Sequence, residues 1–357
     1  MIKFYVIEFL RKNILMIVCI LFFAPVLEAQ QIVNGQITDA IDGMPVGGVN
    51  IFIANTTIGT TSDAMGNYSI TVSGNGSFEI VVSHVAYMSN VHKIDTPQPF
   101  HRHDVALEMN ELPEVVVIAR KNYRQRDIDL FWSKILGEKP SKKGMEVLNP
   151  DKVYYYLNSD RILKASCKEP IEIINHQTGY RIKYVLHSFQ HDYRKNSTSF
   201  SGMPYFEELI PKDSLQKKRW EKKRQEVYAV SITHFLRALY REQIHEEGFL
   251  LATKESLMND QTVSLDDILL SDQDMILAYI EIPLFLMCYS KPITPQIIKN
   301  SYDDLKRGDK LPIVMELLPQ QFIIYPDGTY SGILQIQVYR SYIFGLSSIL
   351  PVEYGGL

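Results

Sequence analysis

The chain has 357 residues, of which 46% are hydrophobic and 22% charged, with 17 Pro and 19 Gly spread along its length. This composition excludes a disordered or collagen-like protein and supplies enough apolar side chains for about two domains of ordinary size. The formal net charge of −4 leaves no overall basic field, which argues against nucleic acid as a partner.

Residues 1–29 have the composition of a secretory signal peptide. Three basic residues, Lys3, Arg11 and Lys12, precede an apolar run from Ile14 to Phe23, and the small Ala29 follows. The run is too short to span a bilayer comfortably, so we expect cleavage after Ala29, with an uncleaved anchor as the alternative. The protein is therefore expected to be exported, to the periplasm or in association with the outer membrane.

Residues 30–110 consist of short apolar runs separated by turn residues. In the run GGVNIFIA the side chains of Val49, Ile51 and Ile53 share one strand face, and in SFEIVVSHV those of Phe78, Ile80 and Val82 do the same. Runs of β-branched and aromatic residues at this spacing predict an antiparallel β-sandwich of about seven strands.

The turn residues of this region follow a specific pattern. They lie in three segments, residues 35–39 (GQITD), 43–51 (GMPVGGVNI) and 59–70 (GTTSDAMGNYSI). Gly43 and Gly66 suit turns that require a positive φ, Asp63 is placed to cap a hairpin turn, and Tyr68 returns to the sheet as a core aromatic. The segments resemble the carboxypeptidase-regulatory-like domain.

The resemblance implies a prealbumin-like, seven-stranded sandwich of the kind found at the N-termini of exported Bacteroidetes proteins, including TonB-dependent receptors. In those receptors a segment similar to residues 111–119 (ELPEVVVIA) leads into a plug and barrel. The remaining residues here lack the long series of amphipathic strands that such a barrel needs. We therefore expect 111–119 to be a connecting segment.

Residues 120–357 predict an α+β domain with mostly antiparallel strands and about three helices. Helices with one apolar face are expected in YRQRDIDLFWSKILG and in SITHFLRALYREQI, and a charged helix is expected from Lys212 to about Val227. Hairpin turns are expected at HQTG, before Tyr180, and at Pro326–Thr329. The strands do not alternate with helices as a doubly wound sheet requires.

A search for catalytic patterns yields no catalytic, cofactor or metal residue. The chain has no HExxH, CxxC, Gly-x-Ser-x-Gly or phosphate-loop motif. His101 and His103 would share a strand face, but two solvated histidines explain them better than a metal site with no further ligand nearby. The adjacent acids Glu207 and Glu208 should point apart, so they do not form a glycosidase pair.

One helix carries a strong positive charge. The segment from Lys212 to Glu226 contains seven basic residues and only three acidic ones. Contact of the Lys212–Arg224 helix with an anionic surface is one interpretation, and a solvated helix anchored by Trp220, Leu215 and Val227 is the favoured alternative. Cys167 and Cys288 lie in apolar runs, and the sequence leaves open whether they pair.

These observations favour a non-catalytic cell-envelope protein. We expect the sandwich to act as an interaction module and residues 120–357 to bind a protein or glycan ligand, with an envelope or outer-membrane protein as a further partner. The alternatives are an envelope hydrolase whose site is assembled from distant residues of the C-terminal domain, and an accessory of TonB-dependent uptake. A deep pocket with converging titratable groups would favour the enzyme, and an exposed aromatic patch would favour binding.

Overall fold

The computed structural model describes residues 30–73, 77–94, 100–109, 124–137, 144–272, 275–289, 291–307, 313–332, 334, 336–340 and 345–355. The expected signal peptide (1–29) and connecting segment (111–119) lie outside the described residues. The described part confirms the predicted fold class, a β-sandwich followed by an α+β region of mostly antiparallel sheets.

The sandwich contains eight strands within the described residues rather than about seven. They are β1 (Gln30–Asp39), β2 (Asn50–Ile53), β3 (Gly59–Thr61), β4 (Asn67–Ser73), β5 (Phe78–Ser83), β6 (Asn90–Ile94), β7 (Phe100–Arg102) and β8 (Val105–Leu107). One sheet has the order β4-β1-β7, with β8 also paired to β1, and the other has the order β3-β2-β5-β6. The three-residue β7 is too short to give a clear alternation in the sequence.

The sandwich core lies between these two sheets and contains the predicted strand faces. Val49, Ile51 and Ile53 pack there with Ile80 and Val82, and Tyr68 is buried as expected. Gly43 and Gly66 both have positive φ, at 71° and 75°. The predicted turn chemistry is therefore confirmed.

The C-terminal region contains fourteen further strands among the described residues, in three sheets. The first sheet is formed by β9 (Met145–Val147), β10 (Val153–Leu157), β11 (Ile162–Cys167), β12 (Ile171–Asn175), β13 (Tyr180–Asp192) and β14 (Ser197–Glu208). The second contains β15 (Phe249–Ala252), β18 (Leu284–Cys288), β19 (Ile313–Leu317) and β22 (Ile336–Arg340), and the third contains β16 (Leu269–Asp272), β17 (Met275–Ile280), β20 (Gln320–Ile324) and β21 (Tyr330–Gly332).

The three predicted helices are confirmed as α1 (Gln125–Leu136), α2 (Ser214–Tyr228) and α3 (Ile232–Tyr240). Two further helices, α4 (Lys254–Met258) and α5 (Pro295–Arg307), follow. Helix α1 packs on the six-stranded sheet, whereas α3 shares a separate core with strands of the other two sheets. Both predicted hairpins are present, because β12 pairs with β13 and β20 with β21.

The sandwich is attached to the C-terminal region through its second sheet. Phe52, Ala54 and Val81 pack against Val185 and Tyr205 of β13 and β14. The apolar alternation in the sequence indicated one core-facing side for each of these strands. In the structure, both faces of β2 and β5 are covered. The predicted interaction module is thus fixed to its neighbour by a small apolar interface.

Backbone hydrogen bonds reinforce this interface around the turn that follows β2. The Asn55 N–H donates to the Pro204 carbonyl at 2.7 Å, and the Phe206 N–H donates to the Thr56 carbonyl at 3.0 Å. From the C-terminal segment 351–355, the Val352 N–H donates to the Asn55 carbonyl at 2.8 Å. The turn is therefore held between β14 and the end of the chain.

Candidate ligand-binding cleft

An open cleft of about 630 Å³ lies on the sandwich, at the exposed face of the sheet that contains β1. Polar side chains from four strands line it, beside one exposed aromatic ring. The lining includes Asn34, Thr60, Thr61, Ser69, Phe100 and Arg102.

Strand register brings these side chains together. Asn34 of β1 lies opposite Ser69 of β4 and Arg102 of β7. Because side chains alternate between the faces of a strand, Phe100 and Arg102 share the outer face with Asn34. Thr60 and Thr61 extend the cleft from β3, which belongs to the other sheet.

A close approach of two backbone segments fixes the floor of the cleft. A Cβ on Gly35 would lie 1.9 Å from the His103 carbonyl oxygen, so only glycine fits there. The Tyr68 hydroxyl donates to the same carbonyl at 2.7 Å, and burial raises the pKa of that hydroxyl. These contacts hold β7 against β1 and position Phe100 and Arg102.

The two charged groups of the cleft are already engaged. Asp63 accepts hydrogen bonds from the N–H groups of Met65 and Asn67 at 2.9 and 2.8 Å, and the Asn67 N–H chiefly lowers the pKa of Asp63. The predicted turn-capping role of Asp63 is confirmed. Arg102 Nε donates to Asp104 at 2.9 Å. Because both charged side chains already have partners, the cleft suits an uncharged ligand.

The remaining polar side chains of the cleft are available to a ligand. Within the described part of the chain, the side chains of Asn34, Thr60, Thr61 and Ser69 form no hydrogen bond. Phe100 is 58% exposed beside them. Amide and hydroxyl groups next to an open aromatic face are able to bind a ligand that has both hydroxyls and an apolar C–H face.

His101 and His103, considered above as metal ligands, lie on and just beyond β7. The His103 ring packs edge-on against His92 of β6, with 4.4 Å between ring centroids. Over the ranges that the structure describes, no group of three or more His, Cys, Asp or Glu side chains is placed to hold a metal ion. The cleft residues Phe100 and Arg102 lie on the opposite strand face, which the alternation around His101 already indicates.

The position of His103 predicts a loss of stability in mild acid. Burial, followed by the nearby charge of His92, lowers the pKa of His103, while Asp104 opposes the shift. As the pH falls below about 6.5, the unfolded chain takes up a proton that the folded His103 resists, so the free energy of unfolding decreases.

Urea denaturation at pH 7.5 and 5.5 measures this effect. The wild-type protein should lose more stability between the two pH values than the His103→Gln variant. Equal losses in the two proteins would contradict the interpretation.

The paired carboxylates of β14 point to opposite sides of the strand, as predicted. Glu207 pairs with Lys183 at 2.7 Å, whereas Glu208 pairs with Arg224 at 2.6 Å. The two side chains therefore have different partners. They do not form the facing pair that glycoside hydrolysis requires.

The basic helix differs in part from its predicted arrangement. Trp220 and Val227 anchor α2 as expected, but Leu215 is 61% exposed and is not an anchor. Arg224 is directed inward, where it donates to the Thr178 carbonyl at 2.6 Å and lies 4.1 Å from the centre of the Tyr180 ring. Arg224 is thus committed to the fold.

The two cysteines of the C-terminal region do not form a disulfide bond. Cys167 lies on β11 and Cys288 is buried on β18, in two different sheets, and both are free thiols. Burial raises the pKa of Cys288 to about 12. Cys288 therefore behaves as a small apolar core residue.

Comparison with known proteins agrees with the sandwich geometry. Residues 33–117 match the family model of the CarboxypepD_reg-like domain. The N-terminal module is a CarboxypepD_reg-like domain. The resemblance predicted from the turn pattern is thus confirmed for this part of the chain.

A curated relative of the CarboxypepD_reg-like module is the TonB-dependent receptor P3 of Formosa agariphila, which is 31% identical over 117 residues. The aligned region covers 33% of this chain and 12% of the receptor. The chain therefore spans only a small part of the relative that it matches. No helix in the described ranges combines the length and hydrophobicity needed to cross a membrane.

Solved structures show only partial likeness. A DUF3823 family protein from Bacteroides ovatus is 12% identical, covering 51% of this chain and 82% of its own, with a TM-score of 0.19. Catechol 1,2-dioxygenase from Acinetobacter is 10% identical, covering 24% of this chain and 55% of its own, with a TM-score of 0.20. These scores are too low to assign a fold or an activity.

Proposed function

We propose that this chain is a non-catalytic binding protein of the cell envelope and that its CarboxypepD_reg-like module binds an uncharged glycan in the cleft. The observation that carries the proposal is the exposed ring of Phe100 beside the hydrogen-bonding side chains of Asn34 and Ser69. Sugar rings present hydroxyls at their edges and C–H groups on their faces, and this arrangement matches both.

The shape and charge of the cleft support a glycan over other ligand classes. The cleft has a volume of about 630 Å³ and is open to solvent, so it can hold part of a longer saccharide chain. Arg102 is paired with Asp104, and Asp63 accepts backbone N–H groups, so neither charge is free to select an anionic or a cationic ligand. The negative net charge of the protein argues against nucleic acid.

Location in the envelope rests on two further observations. The matched relative is a TonB-dependent receptor, and residues 1–29 have the composition of a signal peptide. We therefore propose export, with 30–110 as the binding module, 111–119 as a connecting segment and 120–357 as a second module. An accessory role in TonB-dependent uptake is the second candidate, because that receptor contains the similar region.

The C-terminal module offers an aromatic surface of its own. Tyr154 and Tyr156 lie two residues apart on β10, an edge strand, and are 60% and 50% exposed. Two tyrosines on one strand face form a flat platform. We propose that this edge contributes to the binding of a protein or glycan ligand that the sequence analysis expected of residues 120–357.

A glycan array followed by calorimetry tests the proposal. The wild-type protein should bind neutral oligosaccharides, and Phe100→Ala should weaken binding at least tenfold, which is about 1.4 kcal/mol. Phe200→Ala is the matched control, because Phe200 is 37% exposed on β14, away from the cleft. Equal affinity of the wild type and Phe100→Ala would contradict the proposal for the cleft.

A further inference from the structure

One end of the sandwich exposes an unusual number of apolar side chains. This end, called here the methionine-rich end, consists of the loops 40–45, 63–66 and 84–89 and residues 108–109. Six aliphatic side chains of this end are at least half exposed: Ile41, Met44, Met65, Val85, Met88 and Met109. Large apolar groups that cluster on a surface mark an interaction site more often than scattered ones do.

Strand directions bring these loops together. Strands β1, β5 and β8 end here, and β4 and β6 begin here. The Tyr87 hydroxyl donates to Asp39 Oδ2 at 2.9 Å, which ties the loop 84–89 to the end of β1. The Met88 N–H donates to the Glu108 carbonyl at 2.9 Å, and the Ala40 N–H donates to the Leu107 carbonyl at 2.9 Å. These bonds join the loops 40–45 and 84–89 to residues 108–109. The loop 63–66 lies beside 40–45, because a Cβ on Gly66 would be 3.3 Å from the Pro45 Cβ.

The methionine-rich end is acidic. Asp42 and Glu108 are exposed on it, Asp63 lies at its border with the cleft, and its four segments contain no Lys or Arg. An apolar surface with a rim of carboxylates complements a segment with apolar and cationic side chains. Methionine side chains adapt to partners of different shape because they are unbranched and flexible.

We propose that the methionine-rich end docks a cationic, apolar segment of a partner protein. The charge complementarity selects this partner over an acidic or uncharged one. The two surfaces meet at Asp63, but the exposed apolar side chains of the methionine-rich end lie outside the cleft that Phe100 lines, so glycan binding and partner docking can be tested separately. The sandwich thus carries a ligand site on one sheet face and a protein-docking site at one end.

Fluorescence anisotropy with labelled synthetic peptides tests this proposal on the full chain. The probes are a 14-residue peptide of alternating Leu and Lys and its Leu–Glu counterpart. We expect the Leu–Lys peptide to bind at least tenfold more tightly than the Leu–Glu peptide, and added salt to weaken its binding.

The double variant Met44→Ser, Met88→Ser should weaken binding of the Leu–Lys peptide at least tenfold. Its fold should be unaffected, because both side chains are more than half exposed, and a thermal melt verifies this. The control Ile210→Ser, Met258→Ser removes exposed apolar groups far along the chain and should bind like the wild type.

Three results would overturn the proposal. They are the absence of binding by the Leu–Lys peptide, equal binding of the two peptides, and equal binding of the peptide by the double variant and the wild type. Self-association in sedimentation velocity that the double variant abolishes would instead assign the surface to a second copy of this chain. Loss of glycan binding alone would not contradict the docking proposal, because Phe100 lies outside the methionine-rich end.

Discussion

Replacing Arg237 with alanine is expected to lower the free energy of unfolding by about 3 kcal/mol, because three part-buried carbonyl oxygens would lose a charged donor. Arg237 lies on α3 and is 5% exposed. Its guanidinium donates to the carbonyls of Asp327, Tyr354 and Val352 at 2.8, 2.9 and 2.6 Å. It therefore joins α3 to the β20–β21 turn and to the C-terminal segment.

This contact also affects the attachment of the sandwich. Val352, which Arg237 holds through its carbonyl, donates its own N–H to Asn55 of the sandwich. The neighbouring Glu353 accepts a hydrogen bond from the Thr57 N–H at 2.8 Å. Loss of Arg237 should therefore speed hydrogen exchange at the Val352 amide.

Urea denaturation and hydrogen exchange measure the two effects of the Arg237 variant. Arg241→Ala is the matched control, because Arg241 lies one turn further on and its side chain is 49% exposed. The control should change stability by less than about 0.5 kcal/mol. A similarly small change for Arg237→Ala would show that the guanidinium does not hold these segments together.

Replacing Val81 with aspartate is expected to destabilise the protein by about 4 kcal/mol, because the carboxylate would be buried without a cation. Val81 is 0% exposed on β5 and packs at the interface between the sandwich and the six-stranded sheet. The substitution should loosen this interface, and small-angle X-ray scattering should then show a larger radius of gyration.

Val85→Asp provides the same chemical change at a position that is 69% exposed. Its free energy of unfolding in urea should remain within about 0.5 kcal/mol of the wild type. If Val81→Asp changed the free energy of unfolding as little as Val85→Asp, the result would contradict the packing of the sandwich against β13 and β14.

Local signals in the sequence predicted the fold well. The turns at Gly43, Asp63 and Gly66 depend on contacts within a few residues, so their pattern is sufficient to predict them. Helices α1 and α3 were predicted from apolar periodicity for the same reason. The resemblance of the turn pattern then supplied the sandwich topology, which spacing alone does not determine.

Contacts between distant segments were not predictable. A Cβ on Gly59 would lie 2.7 Å from the Tyr205 hydroxyl oxygen, 146 residues further along the chain by number, and nothing near Gly59 indicates this partner. The sequence did not distinguish Arg224 from the exposed basic residues of the same helix, although Arg224 packs on Tyr180. The cleft likewise depends on parallel pairing of the short β7 with β1.

The aromatic part of the cleft was visible in the sequence but not interpreted. The alternation that places His101 and His103 on one strand face places Phe100 and Arg102 on the other. An exposed phenylalanine on that face signals a binding surface only when its neighbours are known. Those neighbours, Asn34 and Ser69, come from β1 and β4.

A crystal structure of the protein with the tightest-binding neutral oligosaccharide of the array tests the central claim most directly. We expect a sugar ring stacked on Phe100, with its hydroxyls hydrogen-bonded to Asn34 and Ser69. A saccharide bound elsewhere on the molecule, with the Phe100 ring still open to solvent, would contradict it.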